Sequence, residues 1–211
     1  MEAVIEMGPA AEADEARDAG RIGIWLFILS EILLFGAFLA SYLSTRLGNS
    51  DCALGVVAWP EAGHLPGLAM AALNTVLLLT SSYTMVRAIS RARRGDRAGF
   101  RANLGATLAF GAGFLVVKAF EYALKVSHGY YPGSELAQAG AGLSIFLSYY
   151  YLLTIMHCIH VVAGLAWNAV VLSASKDAPM PELERKAEYA GLYWHFVDAV
   201  WVFLFPLLYL I

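Results

Sequence analysis

Charge is scarce in this chain. Of its 211 residues only 15% are Asp, Glu, Lys or Arg, while 59% are hydrophobic, and the mean hydropathy is +0.61. A soluble domain of this length cannot hide so much apolar surface, which excludes the water-soluble classes and points to a polytopic membrane protein. Cysteine is scarcer still. Cys52 falls in a loop and Cys158 in an apolar span, so no disulfide is expected. Residues 1–20 hold Glu2, Glu6, Glu12, Asp14, Glu15 and Asp18 without an apolar segment, and read as an acidic tail, not a signal peptide. The formal charge of −3 is no basic excess, and no nucleic-acid partner is expected. There is no internal repeat, so an independent inverted-repeat transporter or channel has little support.

What is present is a series of long apolar runs. After the tail, residues 21–211 read as one all-α membrane domain, a bundle of five transmembrane helices with spans at about 22–43, 68–89, 102–126, 141–173 and 190–211. Between the first two lies a turn-rich loop with Asn49, Asp51, Pro60, Gly63 and Pro66, and another surrounds Tyr131, Pro132 and Gly133. A polar link through Pro179, Pro181, Glu182, Arg185 and Lys186 leads into the last span. Gly105, Ala109 and Gly113 recur every four residues, a small-residue face that lets another backbone come close.

Charge placement sets an orientation. The tail, residues 87–101 and residues 174–190 together carry eleven of the fourteen lysines and arginines, whereas the opposite side has only Arg46 and Lys125. The positive-inside rule then puts the N-terminus in the cytoplasm and the C-terminus outside.

Ionisable residues within the spans are costly unless they face protein. They are Glu31, the pair Lys118 and Glu121, the pair His157 and His160, and the pair His195 and Asp198. They can form a proton path or a set of interhelical clamps. Lys118 and Glu121, three apart, can neutralise each other and read as structural. His157 and His160 share one helix face by spacing, but two histidines are half of a metal or haem site, and no cysteine cluster completes it. His195 and Asp198 also share a face, beside a stripe of Trp194, Asp198, Trp201 and Phe205, and either bond each other or reach a neighbouring helix. Asn74, with Thr75, Thr80, Ser81 and Ser82, suits hydrogen bonding between helices. Glu31 has no partner within four residues. Desolvation of an unpaired carboxyl disfavours its charged form, which makes Glu31 the candidate for a proton-related role.

Five stretches, in order, resemble one family. They are I-L-S-E-I-L-L-F around Glu31, W-P at Trp59-Pro60 followed by L-N-T-V-L-L-L-T-S-S, F-L-V-V-K-A-F-E-Y ending at Tyr122, T-I-M-H-C-I-H-V-V-A-G from Thr154, and Y-W-H-F-V-D-A-V-W from Tyr193. Together they are similar to subunit III of the haem–copper cytochrome oxidases. The two N-terminal helices of the seven-helix mitochondrial form are absent, so the chain looks like a short bacterial form with one wall of a lipid-filled cleft missing. Lys118 stands where the mitochondrial pattern has Gln, and Ile155 and Cys158 where it has Gly. The ending F-P-L-L-Y-L-I and P-G-S-E-L in the third loop resemble the NorE branch, which accompanies nitric oxide reductases; Ser30-Glu31 favours the oxidase branch.

The resemblance implies a non-catalytic subunit of a proton-pumping terminal oxidase in the bacterial plasma membrane, with no cofactor of its own. Haem and copper would lie in partner subunits I and II, which oxidise cytochrome c and reduce oxygen. This chain would pack against subunit I, hold phospholipid and support proton uptake. Asn74, Lys118, Glu121, His157, His160, His195 and Asp198 would be family-motif residues with structural or lipid-site roles, and Glu31 the family's buried glutamate.

Overall fold

The chain folds as five long helices and one short one in this computed structural model, which describes residues 9–48, 67–138 and 140–210, with backbone alone for 9–19, 48, 138 and 141. The helices are α1 (Pro9–Gly48), α2 (Leu68–Arg93), α3 (Arg97–Ser127), α4 (Glu135–Gln138), α5 (Ala141–Ala174) and α6 (Met180–Tyr209). Cys52, the Trp59-Pro60 pair and most of the first loop lie outside the described residues, as do residues 1–8 of the tail. Cys158 is a free thiol.

Among the described residues, five segments are long and apolar enough to cross a membrane: Gly20–Leu47, Leu68–Arg93, Arg97–Ser127, Gly142–Ala174 and Met180–Tyr209. At 1.5 Å per residue even the 26 residues of α2 reach about 39 Å, against roughly 30 Å of hydrocarbon. Their outer faces are apolar and uncovered within the chain, as with Leu33, Val76, Phe120, Ile159 and Phe203. An all-helical, multi-pass membrane protein results.

The helices run further than the apolar stretches alone indicate. The backbone of Glu12, Asp14 and Glu15, expected in the tail, is already part of α1. Much of the link before the last span is also helical. Pro181 stands at the start of α6, where its missing N–H costs nothing, and Glu182 lies in the first turn. The loop after α3 contains the single turn of α4.

Helices α2, α3, α5 and α6 form a four-helix bundle, and α1 lies outside it against α6. A tight turn at Arg94–Asp96 makes α2 and α3 antiparallel. Gly95 takes φ +72°, a left-handed value suited to glycine. Asp96 caps α3 by accepting from the Gly99 amide at 2.8 Å and meets the Arg91 guanidinium at 2.9 Å. The Gly99 amide and the nearby Arg91 hold its carboxyl below the usual carboxylate value. At the same end, Arg97 donates to the carbonyls of Ser175 at 2.8 Å, Lys176 at 2.9 Å and Ala178 at 2.7 Å, satisfying acceptors that the end of α5 leaves free. We call this the Gly95 end of the bundle; Gly67, at the start of α2, marks the other.

The indole of Trp194 centres the packing. A Cβ on Gly111 of α3 would meet its ring at 2.8 Å, and one on Gly164 of α5 at 2.7 Å. Two helices approach α6 closely because neither has a side chain there. The small-residue face of Gly105, Ala109 and Gly113 has no such role: a Cβ on Gly105 meets nothing within 4 Å, and one on Gly113 meets only Leu77 at 3.8 Å. That face points away from the bundle because Leu104, Thr107, Gly111 and Phe114 take the buried side of α3.

Candidate functional site

Most of the ionisable groups buried within the described spans gather in three places, each assembled from different helices.

The first is the seam between α1 and α5. Glu31 Oε2 lies 3.0 Å from His160 Nε2, and both side chains are 17% exposed. His160 Nδ1 is 2.8 Å from the Met156 carbonyl, which only accepts, so Nδ1 carries a proton. Phe35 packs its ring edge-on to His160 at 5.1 Å, and the Tyr193 hydroxyl donates to the His160 carbonyl at 3.1 Å. The expectation of an unpaired Glu31 is therefore corrected. Its partner comes from a helix 129 positions away, beyond the reach of within-helix spacing.

The second lies at the Gly67 end. Lys118 Nζ donates to Glu121 Oε2 at 2.9 Å and to the hydroxyls of Tyr150 at 3.0 Å and Tyr209 at 2.6 Å. Both hydroxyls lie 2.7 Å from Glu121 Oε1. Lys125 Nζ approaches the same oxygen at 3.5 Å and sits over the Tyr150 ring at 4.3 Å. The carboxylate is completely buried, and both lysines nearly so. Lys125 lies in the last turn of α3, at the end opposite the arginine-rich turn, and its ammonium is turned inward. Gly67, at φ +127°, abuts Glu121; a Cβ there would come 2.9 Å from Oε1. The N-terminus of α2, with no acidic residue of its own, thereby faces a carboxylate.

The third is in mid-bundle around Trp201, whose Nε1 donates to Thr75 Oγ1 at 3.0 Å. His157 stacks beside the Trp201 ring at 5.3 Å and meets the edge of Phe114 at 5.6 Å. His157 and His160 thus face different partners, one in the core and one at α1, and do not form a joint ligand pair. Asp198 is one turn before Trp201, and Asn74 adjoins Thr75. Both ring nitrogens of His157, both carboxyl oxygens of Asp198 and both amide atoms of Asn74 are buried without a hydrogen-bond partner among the described residues. The Ser82 hydroxyl lies 2.7 Å from His195 Nδ1, so His195 reaches α2 and not Asp198. The other polar residues of α2 pair across helices: Ser81 accepts from Trp194 Nε1 at 2.7 Å, and Thr84 meets Thr107 at 2.8 Å.

The order of these residues along four packed spans agrees with one family over almost the whole chain: the profile of cytochrome c oxidase subunit III matches residues 10–211. The chain belongs to that family. Among its relatives, the cytochrome c oxidase subunit 3 of Corynebacterium diphtheriae is 34% identical over 90% of this chain and 87% of its own length. That of Bacillus sp. (strain PS3) is 34% identical over 97% and 93%. The cytochrome bo(3) ubiquinol oxidase subunit 3 of Pseudomonas putida is 30% identical over 90% and 84%.

In this subunit III chain no group of three or more His, Cys, Asp or Glu is placed to hold a metal among the described residues. Sequence reasoning missed Tyr150, Tyr209 and Lys125 as members of the Lys118–Glu121 network. The run Tyr149-Tyr150-Tyr151 was a signal, since tyrosine brings a hydroxyl into an apolar interior and needs a partner there.

Proposed function

We propose that the chain is the accessory, cofactor-free subunit III of a proton-pumping haem–copper terminal oxidase. It resides in a bacterial plasma membrane with its N-terminus in the cytoplasm. The family match over residues 10–211 carries this reading, together with relatives named for oxidases of both cytochrome c and ubiquinol. Haem, copper and oxygen reduction belong to partner subunits I and II, and this chain stabilises subunit I within the bilayer. Those relatives also favour an oxidase over a nitric oxide reductase partner.

Two local features support roles inside that complex. A wholly apolar groove of about 350 Å³ runs between α1 and α6, lined by Ile32, Phe35, Leu39, Phe196 and Phe203 among others, and suits a phospholipid acyl chain. The contact between the Glu31 carboxyl and the His160 imidazole, partly exposed at the edge of the bundle, fits support of proton uptake.

The test is purification of the tagged chain in mild detergent. Haem absorbance and subunits I and II should co-elute, and their absence from folded, membrane-extracted protein defeats the proposal. In the purified complex, a hydrophobic carbodiimide should label Glu31 ahead of Glu121 and Asp198, because those two are 0% and 4% exposed. Glu31→Gln should assemble and reduce oxygen, since the redox chemistry lies in other subunits.

A further inference from the structure

The orphaned polar atoms of His157, Asp198 and Asn74 belong to one place. His157 and the Lys118 ammonium both lie 5.3 Å from the Trp201 ring. Asp198 is three residues before Trp201, a rise of about 4.5 Å. Asn74 is next to the residue that Trp201 bonds. Six buried donors and acceptors without a protein partner, on α2, α5 and α6, are the usual signature of ordered internal water.

That place has polar neighbours on both sides. Towards the Gly95 end, Asp198 stands one turn after His195 on α6, and His195 Nδ1 lies 2.7 Å from the Ser82 hydroxyl. His195 in turn lines a cavity of about 270 Å³ together with Arg21, Arg93 and Glu188, whose charges belong to the membrane surface. Towards the Gly67 end stands Lys118, bonded to Glu121 and followed by Lys125. A serine hydroxyl bonded to an imidazole can accept a proton from it and donate onward to water. Two buried ammoniums repel any cation, hydronium included.

We propose that the bundle of α2, α3, α5 and α6 contains a blind, water-completed proton inlet. It opens at the His195 cavity, runs through Ser82 and Asp198 to water held by His157 and Asn74, and is closed by Lys118 with Lys125. It is separate from the Glu31–His160 pair, which lies on another face of α5. The blind end is what a pumping membrane requires, because an open path would dissipate the gradient. The inference rests on the fold and not on the identity of the electron donor.

Two measurements on the purified oxidase complex test it. A density map fine enough to show water should place ordered water against the Asp198 carboxyl and the His157 ring; a dry core with direct side-chain partners for both overturns the inlet. In liposomes carrying the complex, Lys118→Gln should raise passive proton leak several-fold over wild type, and adding Asp198→Asn should return it to the wild-type level. A wild-type leak in an assembled Lys118→Gln complex, or a leak indifferent to Asp198→Asn, overturns the closure. If Lys118→Gln does not assemble, the map of the wild-type complex decides.

Discussion

Trp194 Nε1 donates to Ser81 Oγ at 2.7 Å, and this bond pins α6 to α2 at the level where α3 and α5 offer only glycine. The two glycines admit the ring, and the serine fixes its rotation. Gly164→Ala should therefore destabilise by about 1–3 kcal/mol through overpacking, and Ser81→Ala by a similar amount through the orphaned indole N–H. Gly105→Ala, on the open face of α3, should be neutral or stabilise by up to about 1 kcal/mol. Thermal unfolding in detergent separates these cases. Equal losses at Gly105 and Gly164 would show that the small-residue face is packed after all.

This contrast also shows what the sequence could and could not convey. The spans were legible because hydrocarbon demands long apolar helices; of the stripe Trp194, Asp198, Trp201 and Phe205, the first three are buried in α6 and Phe205 is half-buried. Which glycines admit a neighbour was not legible, since a recurrence of four places residues on a face without saying where the face points. The partner of Glu31 was hidden for a related reason. Spacing rules reach one or two turns, and His160 lies on a different helix. The burial of Lys125 was not legible either, because a cation near the end of a span reads as exposed; only the carboxylate one turn away explains it.

Arg97 links the start of α3 to the three carbonyls that end α5. Arg97→Met should cost about 2 kcal/mol by leaving charge-assisted hydrogen bonds unmade. Arg97→Lys should recover only part, because an ammonium lacks the planar fork that reaches several carbonyls at once. Denaturant titration of the detergent-solubilised protein reads both losses. A lysine variant as stable as wild type would reduce the role of Arg97 to charge alone.

The Asp96 cap gives the α2–α3 turn a pH dependence of known sign. Its carboxyl is held below the ordinary value by the Gly99 amide and by Arg91, so the unfolded chain takes up this proton first on acidification. The cap's contribution is complete above the unfolded value of about 3.9 and fades as pH falls through the lower folded value. Melting temperatures of wild type and Asp96→Ala should thus differ by a constant amount from pH 7 to about 5 and converge in stronger acid. A gap that widens on acidification would reverse the sign.

The orientation argued from charge is testable at the same turn. With Arg87 to Arg101 in the cytoplasm, a cysteine introduced at Arg94, which lies exposed at the Gly95 end, should resist a membrane-impermeant thiol reagent in intact cells. It should react once the membrane is permeabilised. Labelling from the periplasm in intact cells would invert the topology.

Glu121 is the group on which the Gly67 end depends. It accepts from Lys118, Tyr150 and Tyr209, stands near Lys125, and faces the start of α2. Removing its charge leaves two ammoniums buried together, whereas removing either lysine leaves the carboxylate one cation. Breaking a buried pair typically costs 3–5 kcal/mol, on the order of the loss expected for Glu121→Gln. Lys118→Met and Lys125→Met should each cost less than this, and Lys125→Met the least of the three, because its contact is 3.5 Å against 2.9 Å for Lys118. The double variant Lys118→Met with Glu121→Gln should lose less than the sum of its parts, since it removes one excess cation along with the carboxylate. Unfolding midpoints of the four variants in one detergent give the comparison. A Glu121→Gln variant no weaker than Lys125→Met would show that the tyrosine hydroxyls, and not the carboxylate, hold the two ammoniums in place.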